Sequence, residues 1–121
     1  MRKIVVAGSR TFDDYRLLCD VLDFHINGEK EIIIISGGAK GADSMGEVYA
    51  ASHGFKCLKF KPDYDKYEPK VAPIKRNEEM AKEATEGIIF WDGVSRGTWN
   101  MIQNLRKERK KIALINYRKL G

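Results

Sequence analysis

Four consecutive isoleucines, Ile32 to Ile35, run directly into Ser36-Gly37-Gly38-Ala39-Lys40-Gly41-Ala42-Asp43, and a segment with helical spacing follows. A short, β-branched run without polar alternation is a strand apolar on both faces, and such strands sit in the middle of parallel sheets covered by helices. The glycines make the strand-to-helix turn tight. There the backbone can approach a ligand closely, and the free N–H groups of the first helical turn can meet an anion. The stretch therefore reads either as a wall of a phosphate-binding pocket or as a plain tight turn.

The flanking sequence repeats the same unit. Lys3 to Ala7 is a first strand, ended by Gly8-Ser9-Arg10. Thr11 is placed to cap a helix with Asp13 and Asp14 in its first turn, and Leu17, Leu18, Val21, Leu22 and Ile26 recur at helical spacing up to Asn27-Gly28. Glu31 to Ile35 is the second strand. A second helix runs from about Ala42 to His53 with Met45, Tyr49 and Ala50 inward, and Phe55 to Phe60 is a weaker third strand. Lys61 to Ala72 carries Pro62, Pro69, Tyr64 and Tyr67 without regular period, and a loop of that length is expected to be functional, its tyrosines placed as a lid. Pro73 opens a third helix, with Ile74, Asn77, Met80, Ala81 and Ala84 on one side and Arg76 beside them. Gly87 to Trp91 is a fourth strand. A last helix with Met101, Ile102 and Leu105 inward reaches about Arg109, and Ile112 to Ile115 is a fifth strand. Core packing is expected of Trp91 and Trp99. The alternation implies an α/β fold: a Rossmann-like three-layer sandwich, about five parallel strands with helices on both faces, as one domain over residues 1–121.

Composition narrows the setting. At 121 residues and 43% hydrophobic the chain can bury a proper core. It has no apolar run near the roughly 20 residues that span a bilayer, so no membrane partner is expected. Cys19 and Cys57 lack metal-ligand spacing and are expected to be small buried thiols in a reducing, cytoplasmic setting. A net charge of +5 suits anionic partners. Much of the excess, Arg106, Lys107, Arg109, Lys110 and Lys111 among it, reads as a solvated helix end, where cations suit the macrodipole.

In a parallel sheet, ligands bind beyond the carboxyl ends of the strands. Gly8-Ser9-Arg10, Ser36 to Asp43 and Trp91 to Thr98 all follow strands, so all three fall on one edge. The turn at Gly37 is no P-loop, because Lys40 precedes Gly41 and no Gly-Lys-Ser/Thr occurs. It also lacks dinucleotide spacing, and the third strand ends in Lys59-Phe60-Lys61 without an acid for a ribose. Arg10, Arg76 and Arg96 are the candidate anion clamps, since guanidinium forks pair with phosphate at two points. Ser95-Arg96-Gly97-Thr98 opens a helix and makes a second anion site, with Thr98 binding phosphate or capping the helix. Asp43 stabilises the helix end or bonds a ribose, and its charge argues against a phosphate right beside it. His25 and His53 lie far from these loops, and no catalytic triad or metal cluster is legible, so neither cofactor nor metal is expected.

Four ordered stretches then resemble a known family: Ile4-Val5-Val6-Ala7-Gly8-Ser9-Arg10, the Ser36 to Asp43 turn, Arg76-Asn77-Glu78-Glu79-Met80-Ala81, and Phe90-Trp91-Asp92-Gly93-Val94-Ser95-Arg96-Gly97-Thr98. Together they are similar to the YspA-like branch of the SLOG superfamily, which includes the DNA-processing protein A and the Lonely Guy nucleotide hydrolases. The resemblance implies a Rossmann-like domain that senses or processes a nucleotide or nucleotide-derived ligand. It assigns ligand contact to Gly8, Ser9, Arg10, Gly37, Gly38, Gly41, Asp43, Arg76, Asn77, Asp92, Gly93, Ser95, Arg96, Gly97 and Thr98. Two departures stand out. Ala72-Pro73 lacks the glycine that relatives often carry before the Arg-Asn pair. The Lonely Guy enzymes cleave a base from a nucleoside monophosphate with an arginine and a glutamate that closely follows Gly-Thr, whereas Trp99, Asn100 and Met101 stand here. An oxocarbenium-like transition state needs a nearby carboxylate, and Asp43 and Asp92, with Arg76, are the substitutes this chain offers. The expected partner is thus a nucleotide-like small molecule. Hydrolysis of it is the alternative, single-stranded nucleic acid ranks behind both, and homo-oligomerisation is left open.

Overall fold

In the computed structural model, which describes residues 1–119, the elements run β1 (Arg2–Gly8), α1 (Tyr15–Ile26), β2 (Ile32–Ser36), α2 (Ala42–His53), β3 (Lys56–Lys59), α3 (Ala72–Glu83), β4 (Glu86–Trp91), α4 (Arg96–Lys107) and β5 (Lys111–Asn116), with a short 3-10 turn at Tyr117–Lys119. The sheet is wholly parallel in the order β3-β2-β1-β4-β5. Crossovers leave β1 in both directions, so the strand order reverses between β1 and β4, which makes that junction the natural ligand crevice. Among the described residues, no helix is long and apolar enough to cross a membrane.

The two faces follow from the strand period. Ile4 and Val6 of β1, Ile32 and Ile34 of β2, and Ile88 and Phe90 of β4 pack with Leu18, Leu22 and Ile26 of α1 and Tyr49 and Ala50 of α2. The alternate residues Val5, Ala7, Ile35 and Ile89 meet Met80 and Ala81 of α3 and Met101, Ile102 and Leu105 of α4 on the other side. The isoleucine run has no polar alternation because both of its faces are covered.

Four expectations need correction. Thr11 does not cap α1. The chain first turns at Ser9, whose carbonyl accepts the Phe12 N–H at 3.1 Å, so that the Phe12 ring stacks on Phe90 at 4.8 Å. Burying Phe12 delays the helix, and Asp14 becomes the cap by accepting the Leu17 N–H at 3.0 Å. Trp99 is 43% exposed and not core, and Ile74, on the same side of α3 as Met80 and Ala81, is 43% exposed as well. The Trp99 ring stacks on Trp91 at 5.2 Å, and only the latter packs against the core. Cys19 and Cys57 are free thiols but half-buried, with burial pushing the Cys57 thiol upward. β5 is one residue longer at each end than its apolar run, because its backbone pairs with β4 from Glu86 to Trp91.

Candidate functional site

A cleft of about 570 Å³ lies over the carboxyl ends of β1 and β4. The β1 loop contributes Gly8, Ser9 and Arg10, α2 contributes Asp43, and α3 contributes Arg76 and Asn77. Asp92, Ser95, Arg96, Gly97 and Thr98 close the β4 side. Gly37, Gly38, Gly41 and Gly93 are not among the lining residues, whereas Lys70, Ile74, Asn100 and Met101 are. Tyr64 is 59% exposed, and neither it nor Tyr67 lines the cleft. The long loop reaches the cleft through Lys70 instead. Asn100 carries a readable signal, standing one helical turn beyond Arg96.

The glycine-rich turn is held by the chain itself. Asp43 Oδ2 accepts the Gly37 N–H at 3.1 Å, and Arg76 Nη1 donates to the Gly37 carbonyl at 2.6 Å. A Cβ on Gly37 would sit 2.9 Å from both side chains. Gly37 is therefore the point where a buried carboxylate and a guanidinium converge from α2 and α3. Ser36 Oγ accepts the Gly38 N–H at 3.1 Å and donates to Glu47 at 2.7 Å, so the N–H groups of both Gly37 and Gly38 are engaged internally. Burial pushes the Asp43 carboxyl up to about 6, against the opposing pull of Arg76 and of the N–H groups around it. Burial lowers the Arg76 guanidinium, while Asp43 and Tyr64 raise it and Arg10 lowers it further.

The β4 loop is arranged differently. Asp92 Oδ1 accepts the N–H groups of Val94 at 2.9 Å and Ser95 at 2.8 Å, and Oδ2 accepts the Ser95 hydroxyl at 2.8 Å. Burial acts to raise this carboxyl, but the hydrogen bonds outweigh it and hold it at about 2. With its hydroxyl given to Asp92, Ser95 caps α4 by position only and makes no side-chain bond to the first turn. That turn also carries no acidic residue, whereas the first turn of α2 carries Asp43. The leading N–H groups of α4 keep the capacity to bind an anion, and Arg96 stands at the first helical position.

The model of the YspA, cpYpsA-related SLOG family matches residues 2–67, more than half of the chain. The chain belongs to that family. The matched part of this SLOG protein spans β1 to the loop after β3, and so includes the Gly8 loop and the Gly37 turn. Along its whole length the chain is also similar to the Gene 61 protein of Mycobacterium phage D29, at 26% identity over 124 residues and 97% of each chain. Among solved structures it is similar to DNA processing protein A (DprA) from Streptococcus pneumoniae, with a TM-score of 0.56 and 18% identity over 96% of this chain. It covers 59% of that protein's length, and the likeness is one of fold.

Proposed function

We propose that this cleft binds a nucleotide or nucleotide-derived ligand, with its phosphate on the N-terminus of α4 between Arg96 and Arg10. The observation that carries this reading is Gly97. It lines the cleft, its φ is ordinary, and a Cβ there would meet nothing within 4 Å. No turn or packing contact requires glycine at the second position of α4, where it costs helix stability. A ligand that must reach the backbone N–H groups does require it. Four cations, Arg10, Lys70, Arg76 and Arg96, line the cleft against Asp43 and Asp92, which favours an anionic ligand. Family membership supports the same chemistry, and the DprA likeness is compatible with it.

The test is a melting-temperature panel of nucleoside mono-, di- and triphosphates with wild type and Gly97→Ala. At least one nucleotide is expected to raise the wild-type melting temperature, by about 2.7 kcal/mol of linkage at a hundred times its dissociation constant. The variant is expected to gain about 0.5–1 kcal/mol without ligand and to lose most of the nucleotide response. Stabilisation by no nucleotide, or an undiminished response in the variant, would overturn the assignment.

A second reading, cleavage of the ligand's N-glycosidic bond, is favoured by the contrast between Asp43 at about 6 and Asp92 at about 2 within one cleft. Arg76 would hold the phosphate in that case. Chromatography of nucleotides incubated with the protein is expected to show free base if this reading holds, and Asp43→Asn to abolish it. Turnover that survives Asp43→Asn and Asp92→Asn would remove both carboxylates from the reaction.

A further inference from the structure

We propose that Asn100 reads the base of the ligand and selects a 6-oxopurine, guanine or hypoxanthine, over adenine. The inference rests on the nucleotide reading of the cleft and adds the ligand's base to it.

The orientation of the Asn100 amide is dictated from both ends. Arg76 Nε can only donate, and it donates to Asn77 Oδ1 at 3.0 Å. That places Asn77 Nδ2 toward Asn100, where it donates to Oδ1 at 2.9 Å. On the other side the backbone carbonyl of Asn100 can only accept, and it accepts from Asn104 Nδ2 at 3.0 Å. The same Asn104 nitrogen lies 3.2 Å from Asn100 Oδ1. Both lone pairs of Oδ1 are thus taken. Asn100 Nδ2, with two N–H groups, has no hydrogen-bond partner among the described residues. Nor is it a sealed orphan, since the buried side-chain polar atoms left without a partner there are Asn116 Oδ1 and Tyr117 OH. Asn100 borders the cleft, so the group left to face a ligand is a donor.

Its position suits a base. Asn100 lies four residues beyond Arg96, about 6 Å along the helix from the proposed phosphate seat. Pro73, Ile74, Met80 and Met101 line the same cleft and supply apolar surface for a flat ring. A free asparagine amide pairs with adenine at two points, accepting from N6 while donating to N7. Asn100 cannot accept, so that pairing is closed to it. An N–H of Nδ2 can donate to O6 of a 6-oxopurine with N7 alongside as a second acceptor, whereas on adenine the N6 amino group sets donor against donor and leaves N7 alone to accept.

The test compares nucleotides of equal phosphate count, inosine against adenosine monophosphate and guanosine against adenosine diphosphate, by calorimetric or melting titration. Wild type is expected to bind the 6-oxo member about tenfold tighter. In Asn100→Asp the carboxylate still accepts from Asn77 and Asn104 but turns an acceptor toward the cleft, so the preference is expected to reverse. Asn100→Ala is expected to bind both purines alike, through phosphate and apolar contacts. Equal wild-type affinities within each pair, or a preference that Asn100→Asp leaves unchanged, overturn the role of Asn100 while leaving nucleotide binding intact. Binding of none of the four nucleotides by wild type overturns this inference, and the cleft reading falls with it only if the wider panel of mono-, di- and triphosphates also fails to bind. The wild-type comparison depends on no variant, so it decides even if Asn100→Asp fails to fold.

Discussion

Gly41→Ala is expected to lower stability by about 4 kcal/mol, roughly 15 °C in melting temperature for a chain of this size. Gly41 precedes α2 with φ 79° and ψ −128°, the mirror image of an extended residue, which a Cβ disfavours. A Cβ at this position would strike the carbonyl oxygen of Ser9 and come within 2.8 Å of that of Arg10. Those atoms cannot yield as a side chain would. Ser9 N donates to the Phe90 carbonyl at 2.9 Å, and the Ser9 carbonyl accepts from Phe12 at 3.1 Å. Relieving the clash must displace the β1 loop from β4, and that loop is a wall of the cleft. Gly38→Ala is the control. Gly38 also has a positive φ, 75°, but open space around its missing Cβ, so only the backbone strain of about 1 kcal/mol remains. Equal losses in the two variants by urea unfolding would show that strain alone, and not the close packing of the two loops, makes Gly41 necessary.

Asp43→Asn is expected to stabilise the protein by on the order of 3 kcal/mol above pH 6 and to change little below pH 4. Asp43 is 6% exposed, and its carboxyl is raised from 3.8 to about 6. A raised acid binds its proton more tightly folded than unfolded. Its favourable contribution is complete below the unfolded value and is lost as pH climbs through the folded one. Above pH 6 the native state carries an ionised carboxylate that burial disfavours and that Arg76 only partly offsets. Asparagine keeps the shape and can still accept the Gly37 N–H without that charge. Asp92 has the opposite sign, lowered to about 2, so its contribution is present above about 4 and fails only in stronger acid. Its titration therefore stays out of the comparison between pH 6 and 8. Denaturant titrations of both proteins from pH 4 to 8 measure the effect. A variant less stable than wild type at pH 8 would mean that the Arg76 pairing outweighs the burial cost. A destabilising charge kept in a cleft is itself a mark of function.

Much of the fold was legible in local pattern. The isoleucine run, the helical spacing of Leu18, Leu22 and Ile26, and the stop at Asn27-Gly28 each depend on neighbours a few residues away. The elements they imply are present, with α2 ending at His53 as expected. The misplaced cap at Thr11 shows the limit. Helix start signals compete with a tertiary demand, the burial of Phe12 against Phe90, that no window around residue 11 contains. Ile74 shows it again, since an apolar residue at helical spacing turned out to border an open cleft. For the candidate site, the sequence led to the loops and to the arginines. It did not separate glycines needed where the chain packs on itself, Gly37 and Gly41, from one that the fold leaves free, Gly97.

By itself, then, the sequence determined the alternation of strands and helices, and with it the single sheet edge at which the Gly8, Gly37 and Asp92 loops meet. Strand and helix periods are local, and a parallel sheet puts every strand's end on one side. Only the tertiary structure decided that Asp43 is buried beneath the Gly37 turn, that Asp92 spends its charge on its own loop, and that Asn100 is left with a free donor. Each of those facts rests on the distance between groups far apart in the chain, such as Arg76 and Gly37 or Asn77 and Asn100. Protonation and hydrogen-bond polarity follow from such distances, which periodicity does not encode.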